Sequence, residues 1–327
     1  MSTIIEKQSN IRRLFSKLIS NQTMQHAYVF EGFAGTGKKE MALWVAQALF
    51  CQNPGENQAP CGNCHQCQRI QTHQHPDVIE IEPDGLSIKV AQVRELKEEF
   101  SKSGVESKRK LFIIEDIEKM TQNAANSLLK FLEEPDGETT ALLLTTAKQR
   151  LLPTILSRCQ IVHFPVRPLN ERISELEERG LTTSQSALTA RITHDAERAV
   201  ALAGDEAFQQ LVVATWNWFK FLSKKDDQSF VYVQTDLMST VKDREDNQLV
   251  VDLLIIIYRD LLNLTYSESV LVAFVNHEPQ LKQLADQYAS RQITEILTQL
   301  LEAKKKLNSN VAAQGVFEDI ALQMIRT

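Results

Sequence analysis

No surplus of basic charge marks this chain. Its 327 residues carry 36 Lys and Arg against 42 Asp and Glu, a net charge of −6 with histidine neutral. Proteins that grip nucleic acid unaided are mostly basic, so any such contact here is local or shared with partners. An unbroken apolar run is also missing. The most apolar stretch, LVVDLLIIIYRDLLNL, is cut by Asp252, Arg259 and Asp260, and is too short and too charged to cross a bilayer. The N-terminal MSTIIEKQSNIRRLF alternates charge with apolar residues and lacks the core of a signal peptide. These absences predict a cytoplasmic protein. There is no low-complexity tract and no internal repeat. The five cysteines, an odd number without a secretion signal, argue against a disulfide scaffold.

What is present is an ordinary globular composition, 43% hydrophobic and 24% charged, in a chain long enough for two or three domains. AYVFE (27–31) reads as a strand, EGFAGTGKKEM (31–41) as a glycine loop and MALWVAQALF (41–50) as a helix. Further strand-like runs are VIEIE (78–82), KLFIIED (110–116), TALLLTTA (140–147) and QIVHFP (160–165), with helical patterns between them. One of those patterns, TQNAANSLLKFLEEP, is apolar at Ala125, Leu128, Leu129 and Leu132 and stopped by Pro135. Alternating strands and helices predict an α/β fold with a parallel sheet covered on both faces. After Pro165 the strand signals end. Helical fragments are expected over 170–178 and 187–203, and longer amphipathic helices beyond about residue 207.

Gly32, Gly35, Gly37 and Lys38 fit the phosphate-binding loop G-x-x-x-x-G-K-[ST] up to its last position. Backbone N–H groups of such a loop cradle phosphate oxygens and the lysine reaches the outer phosphates. Lys39 stands where a hydroxyl should ligate Mg²⁺, and an ammonium has only donors to offer. Either the loop descends from a nucleotide site or it is a glycine turn joining strand to helix. The run FIIEDIE places Glu115 and Asp116 in the reverse of the Asp-Glu order that holds Mg²⁺ and polarises water in this class. They are a displaced acidic site or merely cap the strand end.

Cys61-x-x-Cys64-x-x-Cys67, with Cys51 upstream, offers four thiolates for a tetrahedral Zn²⁺ of structural type. A ferredoxin-like cluster would want another cysteine soon after Cys67 and then Pro, where Gln-Arg-Ile follows. Iron–sulfur and plain thiols remain the alternatives, and His65, His73 and His75 are substitute ligands. Arg158, in LLPTILSRCQ, is either a surface salt-bridge residue or an arginine finger for a neighbour's nucleotide site, and Cys159 beside it reads as a small buried apolar residue. The compact basic run SKRK (107–110) reads as a solvated turn before a strand.

Together with HPDVIEIEP (75–83), NAANSLLKFLEEP (123–135) and TTAKQRLLPTILSRCQ (145–160), the four-cysteine insert resembles the delta-prime family of bacterial DNA polymerase III clamp-loader subunits, of the AAA+ class. The likeness is densest over about residues 5–165. It implies an AAA+ domain over 1–165 with a zinc module at 51–67, a helical lid over 166–206 and a helical collar for oligomerisation over 207–327. It further implies a stator in a pentameric loader, with gamma/tau motor subunits and the delta subunit as neighbours. That assembly uses ATP to place a sliding clamp on primer-template DNA.

In this likeness Arg158 is the finger serving an adjoining motor, and Cys51, Cys61, Cys64 and Cys67 are the zinc ligands. Thr145 and Thr146 fall where motors keep a γ-phosphate sensor. The motors' lid arginine falls at Glu197, with Arg198 next to it. Lys39, the Glu115-Asp116 order and Glu197 all depart from the motor pattern. Two other readings stay open: an ATP-hydrolysing gamma/tau-type motor, and a zinc-dependent nucleic-acid-binding protein with a vestigial loop.

Overall fold

A computed structural model of the chain describes residues 8–101, 106–107, 109–133, 137–267, 270–309 and 311–326, the side chains of 96–101 and 131 excepted. Pro135, the expected helix stop, and Lys108 of the basic run lie outside the described residues. The chain divides into two compact units, Met1–Val166 and Arg167–Thr327.

In the first unit α1 (Ser9–Ser20) leads to β1 (Ala27–Glu31), the glycine loop and α2 (Lys38–Phe50). There follow α3 (His65–Gln71), β2 (Val78–Ile81), α4 (Val90–Ser101), β3 (Arg109–Ile114), α5 (Gln122–Glu133), β4 (Glu138–Thr145), α6 (Pro153–Leu156) and β5 (Gln160–His163). Among the described residues the strands form one five-stranded sheet in the order β2-β3-β4-β1-β5, every pair parallel. The predicted parallel sheet is therefore present.

The period-two side-chain alternation of strands distributes the apolar residues between two cores. Tyr28, Phe30, Leu111, Ile113, Leu142 and Leu144 face α1 and α2, where Phe15 packs edge-on against Tyr28 and Phe30. Val29, Phe112, Ile114, Ala141 and Leu143 face the other way, against Val93, Leu128, Leu132 and Ile155. Each such large side chain stabilises the fold by about 1.5–3 kcal/mol relative to exposure. Because all strands run the same way, their C-terminal ends meet at one edge, where open α/β sheets bind ligands.

The second unit is helical among its described residues. Its first helices are α7 (Leu169–Glu178), α8 (Thr183–Ile192) and α9 (Ala196–Gly204), which share a small core of Ile173, Leu176, Ala187, Ala190, Ala196 and Ala199. The single fragment expected over 187–203 is thus two helices. Thr193 is extended, and the Asp195 carboxylate accepts from the N–H groups of Glu197 and Arg198, so the chain restarts as a capped helix. Next come α10 (Glu206–Ser223), α11 (Gln228–Tyr232), α12 (Met238–Thr240), α13 (Arg244–Leu264), α14 (Glu278–Ala285), α15 (Ser290–Leu307) and α16 (Ala313–Arg326). They enclose a larger core around Trp218, Phe219, Leu254, Ile257, Tyr258 and Phe317. Both acids that interrupt the LVVDLLIIIYRDLLNL run have partners there. Asp260 is buried and accepts from the Ala273 N–H at 2.6 Å, and Asp252 pairs with Lys304.

Candidate functional site

The glycine loop keeps its backbone shape. A Cβ on Gly32 would lie 2.7 Å from the Phe164 carbonyl oxygen, so only glycine lets β1 run against the segment after β5. Gly35 and Gly37 have φ of 75° and 89°, a region that favours glycine, and Gly37 is the N-cap of α2. Within this turn Lys38 does not reach outward. Its buried Nζ donates to the carbonyls of Gly32 and Phe33, each at 2.7 Å. Burial lowers its pKa, opposed by the charges of Asp116, Glu118 and Glu40.

Lys39 has a different engagement. Its Nζ lies 2.6 Å from Glu115 Oε1 and 2.6 Å from Glu82 Oε1. Strand register explains the meeting: Ile81 pairs with Ile114, so Glu82 and Glu115 each follow a paired position at the ends of neighbouring strands. Two carboxylates side by side need a cation between them, and Lys39 supplies it. Burial raises the Glu115 pKa, an effect that Lys39 opposes and Glu82 reinforces. For Lys39, partial burial works downward, but the two carboxylates outweigh it and hold the ammonium well above its usual value. Asp116, the reversed partner, is left-handed at φ 45° and its carboxylate takes Lys119 at 2.8 Å.

Lys39→Met should therefore destabilise the fold at pH 7.5 by about 1–2 kcal/mol, allowing for partial exposure of the charges. The sign with pH follows from the shifts. Raised in the folded state, the Lys39 pKa gives a stabilisation present throughout neutral pH and lost only in strong alkali. Glu82 is lowered by the Lys39 hydrogen bond, so its stabilisation fades as pH falls through its folded value. In the variant Glu115 escapes its unpaired charge by taking a proton. The difference between wild type and variant in urea unfolding should therefore shrink from pH 7.5 to 4.5, and a difference that grew would contradict this account.

Thr145 and Thr146, at the end of β4, are held by a residue the sequence reading passed over. Glu118 accepts from Thr145 Oγ1 at 2.8 Å, Thr146 Oγ1 at 2.6 Å and the Thr146 N–H at 3.1 Å. Burial would raise its pKa, but these donors bring it below the usual carboxylate value. A carboxylate three residues past Glu115 gives no local signal of this role, because its partners are 27 and 28 residues away.

Arg158 lies in the turn between α6 and β5 with its side chain 35% exposed. Its Nη1 donates to the Thr154 carbonyl at 2.9 Å and Ser157 Oγ at 3.3 Å, while Nη2 pairs with Glu133 Oε1 at 2.8 Å. Glu133 closes α5 inside the LLKFLEEP motif, so the two motifs meet through this ion pair. Cys159, packed against one sheet core, has its thiol pushed up to about 12 by burial, as suits an inert side chain. Arg198 pairs with Glu245 in the second unit, and the Glu197 N–H is taken up by Asp195.

The four cysteines converge. Sγ atoms of Cys51, Cys61, Cys64 and Cys67 all lie within 4.8 Å of one another, with Cys61 and Cys67 at 4.0 Å. A tetrahedral Zn–S₄ site has sulfurs about 3.8 Å apart for a Zn–S distance of about 2.3 Å. Backbone donors surround the group: Cys61 N–H to Cys51 Sγ at 3.3 Å, Cys64 N–H to Cys61 Sγ at 3.3 Å, and Cys67 N–H to Cys64 Sγ at 3.4 Å. Such donors favour thiolates. Burial alone would raise the Cys64 pKa, but amides of Cys67 and Gln52 with the neighbouring thiols bring it to about 6, whereas burial leaves the Cys51 and Cys67 thiols above their usual value. The donor set therefore fits a metal ion. Buried Gln47 of α2 donates to the Cys67 carbonyl at 2.9 Å and fastens the module to the phosphate-loop helix.

The proposed histidine substitutes are engaged elsewhere or fall outside this group. His75 accepts from the Asp77 N–H and packs on Phe50, and His73 holds Glu80 at 2.7 Å. His65 opens α3 beside Cys64 and is not among the converging ligands. No helix among the described residues is long and apolar enough to cross a membrane.

A family model described as DNA polymerase III, delta subunit, matches residues 7–168. The chain is 38% identical over 321 residues to DNA polymerase III subunit delta' of Bacillus subtilis, spanning 98% of this chain and 96% of that protein. Against DNA polymerase III subunit delta' of Pseudomonas aeruginosa it is 43% identical over 195 residues, 55% of this chain and 59% of that protein. Likeness to DNA polymerase III subunit tau of Escherichia coli is 32% over 170 residues, 52% of this chain and 26% of that one. Among solved structures, a DNA polymerase III gamma subunit-related protein of Thermotoga maritima shares the fold at a TM-score of 0.52, with 19% identity and coverage of 96% and 98%.

Proposed function

Because this chain belongs to the delta-prime family of DNA polymerase III clamp-loader subunits, we propose that it is a stator. It hydrolyses no ATP of its own and completes the ATP site of an adjoining gamma/tau motor with Arg158. The observation that carries this reading is the Lys39 ammonium held between Glu82 and Glu115. In a motor a hydroxyl and an aspartate would share Mg²⁺ there. A fixed cation covers the charge that the metal would neutralise, and it offers no coordination site. Lys38 adds to this, since two of its three donors are spent on its own loop.

Arg158 supports the second half of the reading. A guanidinium offers planar donors suited to phosphate oxygens, and this one stays partly exposed at a turn. The Thr154 carbonyl orients it, whereas its bond to Glu133 is a surface ion pair worth about 0–1 kcal/mol, easily exchanged for a phosphate. The cysteine group would hold a structural Zn²⁺, because four protein ligands leave no open position. Zinc would then lock the 51–67 loop onto α2 and the phosphate-loop side of the domain.

We read 1–165 as the AAA+ domain, 166–206 as a lid and 207–327 as the collar that joins the ring. The delta subunit and gamma/tau motors are the direct partners, with the sliding clamp and primer-template DNA reached through the assembly. The compartment is the cytoplasm. Mixed with gamma/tau and delta subunits, the chain should appear once in a complex by native mass spectrometry. Persistent separation of the chain from both partners would overturn the stator reading.

A further inference from the structure

We propose that the C-terminal unit carries a groove for the phosphodiester backbone of nucleic acid. Its walls are Lys220, Lys224 and Lys225 at the end of α10 and Gln280, Gln283 and Gln287 along α14 and the turn after it. The cavity between them has a volume of about 640 Å³. No carboxylate lines it.

The charge pattern singles the groove out. Residues 167–327 hold 17 Lys and Arg against 23 Asp and Glu, so three lysines together run against the bias of the unit. Elsewhere in the unit Lys282, Lys304, Lys305 and Lys306 each hold a carboxylate. The lysines of the groove take part in no side-chain ion pair among the described residues, and all three are exposed. The acid next to them in sequence, Asp226, accepts from the Gln228 N–H at 2.9 Å and lines an adjoining cavity of about 440 Å³ with Lys220 and Lys224, without an ion pair to either. Lysines near a helix C-terminus are favoured by the helix dipole. The dipole accounts for one or two charges in the last turn, and it does not account for an opposite wall of side-chain amides.

The chemistry of the walls selects the ligand. Carboxylate-reading sites favour the bidentate fork of arginine, and no arginine lines this groove. Lysines act as point charges, which a chain of phosphates meets without demanding a fixed orientation. The glutamines supply donors for phosphate and sugar oxygens. Leu284 is the one aliphatic side chain of the lining and Tyr288 its one aromatic, whose hydroxyl donates to the Ser223 carbonyl at 3.1 Å.

The experiment uses the full chain and a fluorescein-labelled 20-mer of thymidylate, read by anisotropy. With three phosphates neutralised, log K should fall against log salt with a slope of about −2, a loss of about 20-fold between 50 and 200 mM. Lys220→Gln/Lys224→Gln/Lys225→Gln should flatten that slope to near zero while leaving the melting temperature unchanged. Lys305→Gln/Lys306→Gln, which removes paired lysines of the same unit, should leave binding as in wild type. Acetylation of surface lysines by an N-hydroxysuccinimide ester, read by mass spectrometry, should show Lys220, Lys224 and Lys225 protected by the oligonucleotide. This last readout needs no variant to fold. Binding unaffected by the triple change, equal loss from the control pair, absent protection, or tighter binding of a labelled poly-glutamate peptide would each overturn the proposal.

Discussion

If Arg158 is the proposed finger, Arg158→Ala should slow ATP hydrolysis at the adjoining motor site by about 10³-fold or more, the range by which arginine fingers act in phosphoryl transfer. The complex should still assemble, because the lost contacts are Thr154, Ser157 and Glu133, all within this chain's own surface. Single-turnover hydrolysis in a reconstituted loader separates the sites: one should become slow while the remaining motors keep their rate. Arg158→Lys should recover little, since a point charge cannot reproduce the fork. Unchanged single-turnover rates at every site would remove Arg158 from the chemistry.

The second large effect concerns the cysteines. Structural zinc binding is worth about 10–16 kcal/mol in small zinc modules at neutral pH, of the same order as the whole stability of a domain. The purified chain should therefore carry about one zinc by elemental analysis. Cys64→Ser should lose the metal and unfold the 51–67 loop, with a large fall in thermal stability. Removal by chelator should have the same effect, and readdition of Zn²⁺ should reverse it. A metal-free chain with wild-type stability would contradict the zinc assignment. Because thiolates are the ligands, loss should grow steeper on acidification as protons compete for sulfur.

The parallel sheet was legible from the sequence because its signals are local. Strands read from apolar runs at 27–31, 78–82, 110–116, 140–147 and 160–165 correspond to β1 through β5 within a residue or two at the ends. The convergence of the cysteines was legible too, since Cys61, Cys64 and Cys67 lie within seven residues and Cys51 ends the helix that follows the glycine loop. Lys39 was recognisable as wrong for Mg²⁺ from its side chain alone.

What sequence reading missed depends on register between distant strands. Glu82 meets Lys39 across 43 residues because β2 pairs with β3, and no spacing rule announces that. Glu118 and Glu133 share this character: each holds a residue singled out in advance, yet its own surroundings in sequence mark it only as a helix-end or turn carboxylate. The break at 193–195 was missed for a related reason. Apolar spacing continued across it, and a single capping aspartate outweighed that pattern.

The proposed stator would separate roles inside one domain. Charge that a motor would use on a metal is neutralised internally by Lys39, and Lys38 is turned into its loop. Arg158, at the end of the same sheet's last crossover, is left with a weak and exchangeable partner. In the proposed stator, Arg158 at the rim of the strand edge would meet a neighbouring molecule's phosphate.

ATP turnover of the isolated chain, repeated after gamma/tau and delta subunits are added, decides between stator and motor. The stator alone should show no turnover, and its addition should raise motor turnover in a way that Arg158→Ala abolishes. Steady hydrolysis by the purified chain in isolation, lost on Lys38→Ala, would contradict the stator reading.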